Sequence, residues 1–216
     1  MGRPKKLNPE EVGVDPSDLE TRHRIIQASI ALFKEKGYKG VSVKDIAEAV
    51  SITPAALYYY FPDGKEALFM AVLTHILDER KKGMEQAVSG SSCIQDRLYA
   101  LSLYFLSPGN DTLPILMRDV AVQLKDERSR GEVWHRLSRD YTETVTRVFK
   151  EAAANGKITD KVSPDLLANL FSGMNLTLGR SRHMQAHFNR ADYAEMEPEE
   201  LARVIVDVLF NGIREM

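Results

Sequence analysis

The sequence predicts an all-α protein, in which a small N-terminal helix-turn-helix domain is followed by a larger helical domain. Apolar side chains recur every three or four residues along nearly the whole chain, which is the spacing of one face of an amphipathic helix. No run shows the alternation of apolar and polar residues that marks a half-buried strand. Within residues 17–66, helix starts with their own capping residues follow one another closely, and this crowding predicts a compact unit of short helices.

The first helix is expected to follow a flexible arm. Residues 1–16 contain several prolines and a glycine, and they show no helical spacing. Ser17 and Glu20 have the spacing of a capping box, in which the serine side chain caps a backbone N–H and the glutamate reaches back. Gly37 suits the left-handed position that commonly ends a helix, so we expect the first helix to lie between Ser17 and Gly37.

Two short helices are expected next, joined by a tight turn. Ser42 and Asp45 have capping-box positions and predict the start of the second helix. After a turn at Ser51, Thr53 can cap a third helix with Pro54 in its first turn, where the missing N–H has no helical partner to lose. Two helices separated by so short a turn indicate a helix-turn-helix.

The rest of the chain is expected to form longer helices. Residues with capping side chains predict where several of them start: Asp63, Ser92, Asp111 and Ser163. The last helix begins at about Pro198 and carries a wide apolar stripe, which can pack inside one subunit or against a second copy. We therefore divide the chain into an arm (1–16), a helix-turn-helix domain (17–66) and a helical domain (67–216).

The aromatic run of the third helix divides between two faces. At about 100° per residue, Leu57 and Phe61 lie together and are expected to anchor the helix. Tyr59 and Tyr60 lie on the opposite side, with Tyr58 at the flank. An exposed tyrosine offers a hydroxyl and a flat ring to a partner. The alternative is that the whole run is a structural aromatic patch.

Side-chain size and local charge favour nucleic acid as the partner of that exposed face. Ala55 and Ala56 let the helix backbone approach closely, and an alanine methyl suits the thymine methyl of a major groove. The formal net charge of −2 gives no global signal, so the site must be local, and Lys44 and Lys65 flank the third helix. In the arm, Arg3 lies between a glycine and a proline, which suits a narrow A·T minor groove; a solvated tail is the alternative.

Residues 22–69 resemble the DNA-binding domain of the TetR family of transcriptional regulators. The resemblance is carried by RIIQASIALFKEKGYKGVSVKDIAEAV, then LYYYF and KEALF. In that family a first helix, a Gly-Tyr or Gly-Phe stop, a short second helix and a Leu-Tyr-x-x-Phe recognition helix recur in this order. Two features depart from the common pattern. Ser51 stands where the turn commonly has a glycine, and the segment between Phe61 and Lys65 has one residue more than usual.

The resemblance implies a homodimer that binds palindromic operator DNA, joined through its last two long helices. Contacts to DNA are implied by position at Ser42, Val43, Lys44, Pro54, Ala55, Ala56, Tyr58, Tyr59, Tyr60 and Lys65. It also implies a small, mostly apolar effector that releases the DNA, with repression as the expected direction and activation left open. Inward residues of the second domain then either form a dry core or line a cavity for that effector: Leu98, Leu101, Phe105, Met117, Val120, Trp134, Tyr141 and Met174.

Other classes of function have less support in the sequence. An enzyme would need converging catalytic or metal-binding groups, and His183 with His187 lacks the glutamate of a metalloprotease pattern, so neither cofactor nor metal is predicted. An architectural DNA binder would leave the second domain unexplained. A single cysteine, Cys93, excludes an intrachain disulfide and fits a reducing cytoplasm, and no apolar run is long enough to span a membrane. We therefore expect a cytoplasmic protein.

Overall fold

The structure, a computed structural model, describes residues 16–107, 112–124, 126–159, 161–184 and 196–212. Side chains are described for these residues except 112–115, 141 and 180–184. The regular elements within these ranges are all helices, which confirms the predicted all-α class. They are α1 (Pro16–Lys36), α2 (Val43–Ala49), α3 (Pro54–Tyr60), α4 (Gly64–Ser89), α5 (Ile94–Leu106), α6 (Thr112–Gln123), α7 (Glu127–Ala154), α8 (Pro164–Met184) and α9 (Pro198–Asn211).

The chain separates into two compact units that meet within α4. The first unit ends at Val72 and the second begins at Leu73. The boundaries expected from the sequence, including the arm at 1–16, remain predictions.

In the first unit, α1 starts earlier than the sequence predicts. The helix begins at Pro16, so Ser17 lies in its first turn and cannot be the residue that precedes the helix. The predicted capping box of Ser17 and Glu20 is therefore wrong, because a serine already inside the helix cannot cap it from outside. The end of α1 is as predicted. Gly37 has φ 68 and donates its N–H to the Phe33 carbonyl at 2.9 Å.

The starts of α2 and α3 are confirmed at atomic level. The Ser42 hydroxyl accepts from the Asp45 amide at 3.1 Å, while the Asp45 carboxylate accepts from the Ser42 amide at 2.7 Å. The Thr53 hydroxyl accepts from the Ala56 amide at 3.1 Å, and Pro54 occupies the first turn. These caps satisfy backbone N–H groups that the helices themselves leave unpaired. Helices this short depend on them.

The turn between α2 and α3 is closed by a residue in the left-handed region. Ser51 has φ 59, which few residues other than glycine adopt without strain. This conformation lets Ile52 donate its N–H to the Ala47 carbonyl at 2.9 Å. The turn therefore keeps the shape that a glycine would give it, with a serine in its place.

Aromatic contacts fasten α4 to α1 within the first unit. The rings of Phe33 and Phe69 meet edge to face with centroids 5.3 Å apart, and Tyr38 lies 4.9 Å from Phe69. Such pairs are worth about 0.5–1.5 kcal/mol beyond the area they bury. The start of α4 thus belongs to the core of the first unit.

In the second unit, the start of α5 differs from the prediction. The residue before the helix is Cys93, and it makes no side-chain capping hydrogen bond. Ser91, not Ser92, contributes the nearby contacts, since its hydroxyl accepts from the Cys93 amide at 3.0 Å and donates to Asp96 at 2.9 Å. The predicted role of Ser163 is confirmed, because its hydroxyl accepts from the Leu166 amide at 3.2 Å at the start of α8.

The core of the second unit is formed by inward faces of α4, α5, α7, α8 and α9. Leu98 and Leu101 of α5 are fully buried, and Phe149 of α7 meets Phe171 of α8 edge to face at 6.3 Å. Ile205 of α9 is 3% exposed. One apolar core therefore joins the last helix of the chain to α5.

Beside this core, a row of polar and charged side chains joins the C-terminal half of α4 to α7. Lys81 lies 3.6 Å from Asp140, and Glu85 accepts from the Thr144 hydroxyl at 2.8 Å. Arg136 contacts Asp78, and Arg147 contacts Glu85. We call this set of contacts the α4–α7 ladder: Asp78, Lys81, Glu85, Arg136, Asp140, Thr144 and Arg147.

The α4–α7 ladder changes the titration of one of its members. Burial raises the pKa of Glu85, but hydrogen bonds from Thr144 and Arg147 outweigh that effect, so the net pKa lies below the ordinary value of 4.5. Glu85 is therefore ionised at neutral pH.

No helix among the described residues is both long and apolar enough to cross a bilayer.

Candidate nucleic-acid interface

The two faces of α3 are separated as the sequence predicts. Leu57 is fully buried and Phe61 is 3% exposed, so these residues fasten the helix to its unit. Tyr59 is 70% exposed and Tyr58 is 49% exposed. Exposed tyrosine rings offer a flat apolar face and a hydroxyl to a partner, which makes this side of α3 a candidate for binding. This exposed side of α3 is the centre of the candidate interface.

Tyr60 is held more tightly than the sequence suggests. Its hydroxyl donates to Asp18 Oδ1 at 3.0 Å, and the Tyr59 hydroxyl donates to Asp18 Oδ2 at 3.4 Å. The two tyrosine rings lie edge to face with centroids 5.0 Å apart. Sequence reasoning missed Asp18, because nothing in a spacing pattern pairs the first turn of α1 with the end of α3. The tyrosine hydroxyls are therefore already engaged within the unit.

The environment of Tyr60 keeps its hydroxyl a hydrogen-bond donor. Burial raises the pKa of this phenol, and the hydrogen bond to the Asp18 carboxylate raises it further. A phenol whose pKa lies above 10.0 is fully protonated at neutral pH. It can therefore donate to a carboxylate or to a phosphate oxygen, but not accept as a phenolate.

At the start of α2, Lys44 carries an exposed positive charge, whereas Ser42 is held by hydrogen bonds. Ser42 uses its hydroxyl and its amide in the capping box, and these contacts lower the pKa of Asp45. Val43 is half-buried. Lys44 has 75% of its side chain exposed and lies 3.6 Å from Glu48, a surface pair of the kind that contributes about 0–1 kcal/mol. Lys44 can therefore exchange Glu48 for a phosphate at little cost.

The first turn of α3 and that of α4 contribute the remaining predicted contacts. Pro54 and Ala55 are exposed, whereas Ala56 is half-buried. The Lys65 ammonium lies 4.1 Å from the centroid of the Tyr38 ring, which is a cation–π contact. That contact orients the Lys65 side chain within the first unit. Arg3 lies outside the described residues.

Comparison with known proteins matches the same stretch of chain. A family model described as "Bacterial regulatory proteins, tetR family" matches residues 25–72. The biofilm operon negative transcriptional regulator IcaR of Staphylococcus aureus is 46% identical over 48 residues, which are 22% of this chain and 25% of IcaR. Among curated relatives at 31% to 46% identity, the match spans between 20% and 42% of the relative's length.

Solved structures extend the likeness beyond the first unit. A transcriptional regulator of the TetR/AcrR family from Thermobifida fusca is 26% identical, with a TM-score of 0.66 over 91% of this chain and 100% of that one. The chain belongs to the TetR family of transcriptional regulators. AibR in complex with isovaleryl coenzyme A and operator DNA has the same fold at 23% identity, with a TM-score of 0.63 over 88% of this chain and 98% of AibR.

The predicted effector residues of this TetR family chain differ in how far they are buried. Four are buried, namely Leu98, Leu101, Met117 and Val120, and two are half-buried, Phe105 and Met174. Trp134 is 48% exposed, so the prediction that it faces inward is wrong. Val133, the residue before it, is 4% exposed, so the buried side of α7 at this point carries Val133 and not Trp134. The side chain of Tyr141 lies outside the described residues.

Buried polar atoms form a signal that the sequence reasoning missed. Asn175 is 2% exposed; its side-chain amide nitrogen donates to the Phe171 carbonyl, while its Oδ1 has no hydrogen-bond partner among the described residues. The Ser102 hydroxyl is likewise buried without a described partner. Unsatisfied buried polar atoms are rare in native proteins. Helical spacing could have flagged Asn175, since it lies one turn from Phe171 and next to Met174.

A polar cleft also lies between α5 and α9, and none of the predicted effector residues lines it. Its volume is about 300 Å³. The lining residues are Gln95, Asp96, Tyr99, Arg203, Val206 and Asp207. Carboxylates of this kind do not suit a mostly apolar molecule.

Exposed apolar side chains continue along α8 and α9 of this TetR family protein. Leu166 and Leu170 of α8 are 51% and 53% exposed, and Val204 and Val208 of α9 are 43% and 38% exposed. In each helix the two residues are four apart and lie on one face. We call these four residues the α8–α9 face.

Proposed function

We propose that this regulator is a homodimeric repressor that binds a palindromic operator and is released by a small, mostly apolar effector. The observation that carries the proposal is the division of α3. Leu57 and Phe61 are buried and anchor the helix in its unit, while Tyr58 and Tyr59 are exposed and can contact a partner. A helix about 10–12 Å across fits a major groove about 12 Å wide.

The proposed DNA contacts fall into two kinds. The exposed tyrosines and Ala55 would meet base edges, since an alanine methyl and a tyrosine ring both suit the thymine methyl. Lys44 and Lys65 would meet phosphates, which position the protein without reading sequence. IcaR, which is named as a negative regulator, supports repression as the direction.

Selection of operator DNA tests this component of the proposal. The wild-type protein is expected to enrich a two-fold symmetric sequence from a random pool, with half-sites about 34–36 Å apart. Tyr59→Phe removes a hydroxyl from a 70% exposed side chain, and it should weaken operator binding without lowering the melting temperature. Failure of the wild-type protein to enrich any sequence contradicts the proposal.

The α8–α9 face supports the proposed dimer. Its side chains would be buried by the same face of a second copy, as a two-fold contact requires. Val204→Glu places a charge in that contact and should produce a monomer at micromolar concentration, measured by sedimentation. Val122→Glu is the matched control, because Val122 is 68% exposed on α6. A dimer unaffected by Val204→Glu shows that the subunits join elsewhere.

The proposed effector site lies in the core of the second unit. AibR supports a ligand with an apolar acyl portion, and the buried α5 leucines give an apolar lining. Asn175 Oδ1 would accept a hydrogen bond from the polar end of the ligand, which gives the unpartnered atom a role. A tenfold loss of operator affinity needs only about 1.4 kcal/mol of difference in ligand binding between the two states.

Two substitutions test the effector site after a screen of acyl-coenzyme A thioesters and apolar acids for thermal stabilisation. Asn175→Leu should keep the protein folded, since an unpaired buried polar atom is replaced by an apolar group, and it should abolish DNA release by each hit. Trp134→Ala should respond as the wild type does, because Trp134 is 48% exposed. A normal response from Asn175→Leu excludes that residue from the site.

A further inference from the structure

Asp18 joins two tyrosines of α3, the exposed Tyr59 and the half-buried Tyr60. It lies in the first turn of α1, and both of its carboxylate oxygens accept a hydrogen bond from a tyrosine of α3. Resting on the proposed function, we propose that Asp18 is a specificity-determining positioning residue, which fixes the tyrosines for operator DNA and disfavours all other DNA. Asp18 acts through the tyrosines and does not itself touch a base.

The two hydrogen bonds have different strengths and therefore different roles. Tyr60 is half-buried, its bond to Asp18 measures 3.0 Å, and Thr21 gives its hydroxyl a second partner. Tyr59 is 70% exposed, and its bond measures 3.4 Å. A bond of this length at an exposed site is readily exchanged. Tyr60 therefore stays on Asp18, while Tyr59 exchanges Asp18 for a group on the DNA.

Holding the tyrosine rings in one orientation raises affinity only for DNA whose groups match that orientation. The edge-to-face contact of Tyr59 with Tyr60 means that one fixed ring orients the other. Side chains held in their bound orientation lose less conformational entropy on binding, provided that the partner presents its groups in matching positions. The operator is therefore bound more tightly, whereas the affinity for a random duplex does not rise.

The charge of Asp18 acts on every duplex alike. A carboxylate beside a DNA-binding face repels phosphates, and this repulsion does not depend on base sequence. The operator offsets the repulsion by its fit to the fixed rings, but other DNA does not. Asp18 thus lowers non-specific binding and raises the ratio of operator to random affinity.

The test uses the full-length protein and the operator selected with the wild type. Asp18→Asn keeps the size of the side chain but removes its charge and weakens both bonds. It should raise affinity for a random duplex and lower the operator-to-random ratio about tenfold, the effect of one hydrogen bond to a charged group. Glu20→Gln is the matched control, since it removes the same charge from an exposed residue in the same turn of α1. It should leave the ratio unchanged.

Two results would overturn the inference. One is a ratio within twofold of the wild type for Asp18→Asn. The other is an equal fall for Glu20→Gln, which would mean that charge alone acts. In either case a sequence enriched by the wild type leaves the proposed operator binding intact, so the two ideas fail separately.

A double-mutant cycle separates positioning from folding stability. Tyr60→Phe removes the donor and keeps the carboxylate, so the combined Asp18→Asn, Tyr60→Phe protein should lower the ratio no further than Asp18→Asn does. Additive losses in the ratio would contradict a shared role. Coupling seen only in the melting temperature, with no coupling in the ratio, would make Asp18 merely structural and overturn the inference as well.

Discussion

Replacing Leu57 by alanine should destabilise the first unit around α3 while leaving the second unit unchanged. Leu57 is fully buried, so the change removes Cγ and both Cδ atoms from a packed core. At about 0.8 kcal/mol for each buried carbon, the transfer cost is about 2.4 kcal/mol. Incomplete collapse around the new cavity adds to this, and we expect a loss of about 3–4 kcal/mol. Tyr59→Ala, two residues along, should cost at most about 1.5 kcal/mol, because that side chain is 70% exposed and loses mainly its edge-to-face contact with Tyr60.

The assay must report on one unit at a time. A chain with two units does not unfold in a single two-state step, so a global melting curve would mix their responses. Amide hydrogen exchange measures local opening instead. Peptides covering α2 and α3 should lose protection by about 10²–10³-fold in Leu57→Ala, the equivalent of 3–4 kcal/mol. Peptides covering α7 and α8 should exchange at wild-type rates.

Two outcomes would refute this reasoning. If Leu57→Ala reduced protection in α2 and α3 by less than tenfold, the leucine would not anchor the helix. If Tyr59→Ala reduced it by as much, the exposed side of α3 would also carry folding stability. In that case the tyrosines could not be treated as a face reserved for a partner.

Three further predictions concern other sites. Gly83→Ala should lower the free energy of unfolding by about 1–3 kcal/mol, and with it the melting temperature, because an added Cβ would lie 2.5 Å from the Tyr104 ring. An unchanged melting temperature would contradict the close packing of Gly83 against Tyr104. Ser51→Gly should raise the free energy of local opening of α2 and α3 by about 0.5–1 kcal/mol and so slow their hydrogen exchange, because glycine adopts a φ of 59 without strain. Faster exchange would show that Ser51 is not strained. Glu85 has a lowered pKa in the folded state, so its stabilising effect is present above pH 4.5 and lost as pH falls through the folded pKa. Glu85→Gln should flatten the acid-unfolding curve below that pH, and an unaltered curve would contradict the ladder contacts.

Features determined by neighbouring residues could be predicted from the sequence. Ser42, Thr53 and Gly37 act within four residues of themselves, and the structure confirms the predicted caps and stop. The two faces of α3 follow from helical rotation alone. The prediction for Ser17 is wrong because α1 begins at Pro16, and a spacing pattern locates the ends of a helix only to within a residue or two.

Features that depend on distant segments could not be predicted. Tyr60 and Asp18 are 42 residues apart, and spacing within one helix carries no information about such a contact. Trp134 has the correct periodicity for the core, but Val133 beside it is the buried residue, and periodicity alone does not show which of two adjacent apolar residues the neighbouring helices cover. Helical spacing places Asn175 one turn from Phe171, but spacing does not show whether a buried amide finds a partner.

The α4–α7 ladder has a consequence for how α4 can move. When a leucine contact opens, apolar surface meets water and the loss grows with the area exposed. When a charged contact opens, water hydrates both partners and recovers most of the energy. Along the ladder this holds for exposed pairs such as Arg147 with Glu85, but not for Asp140, which is 6% exposed and costly to leave without a partner. Because Met84 and Val88 of α4 also lie in the apolar core, a small shift of α4 is opposed more strongly by that core and by Asp140 than by the exposed pairs of the ladder.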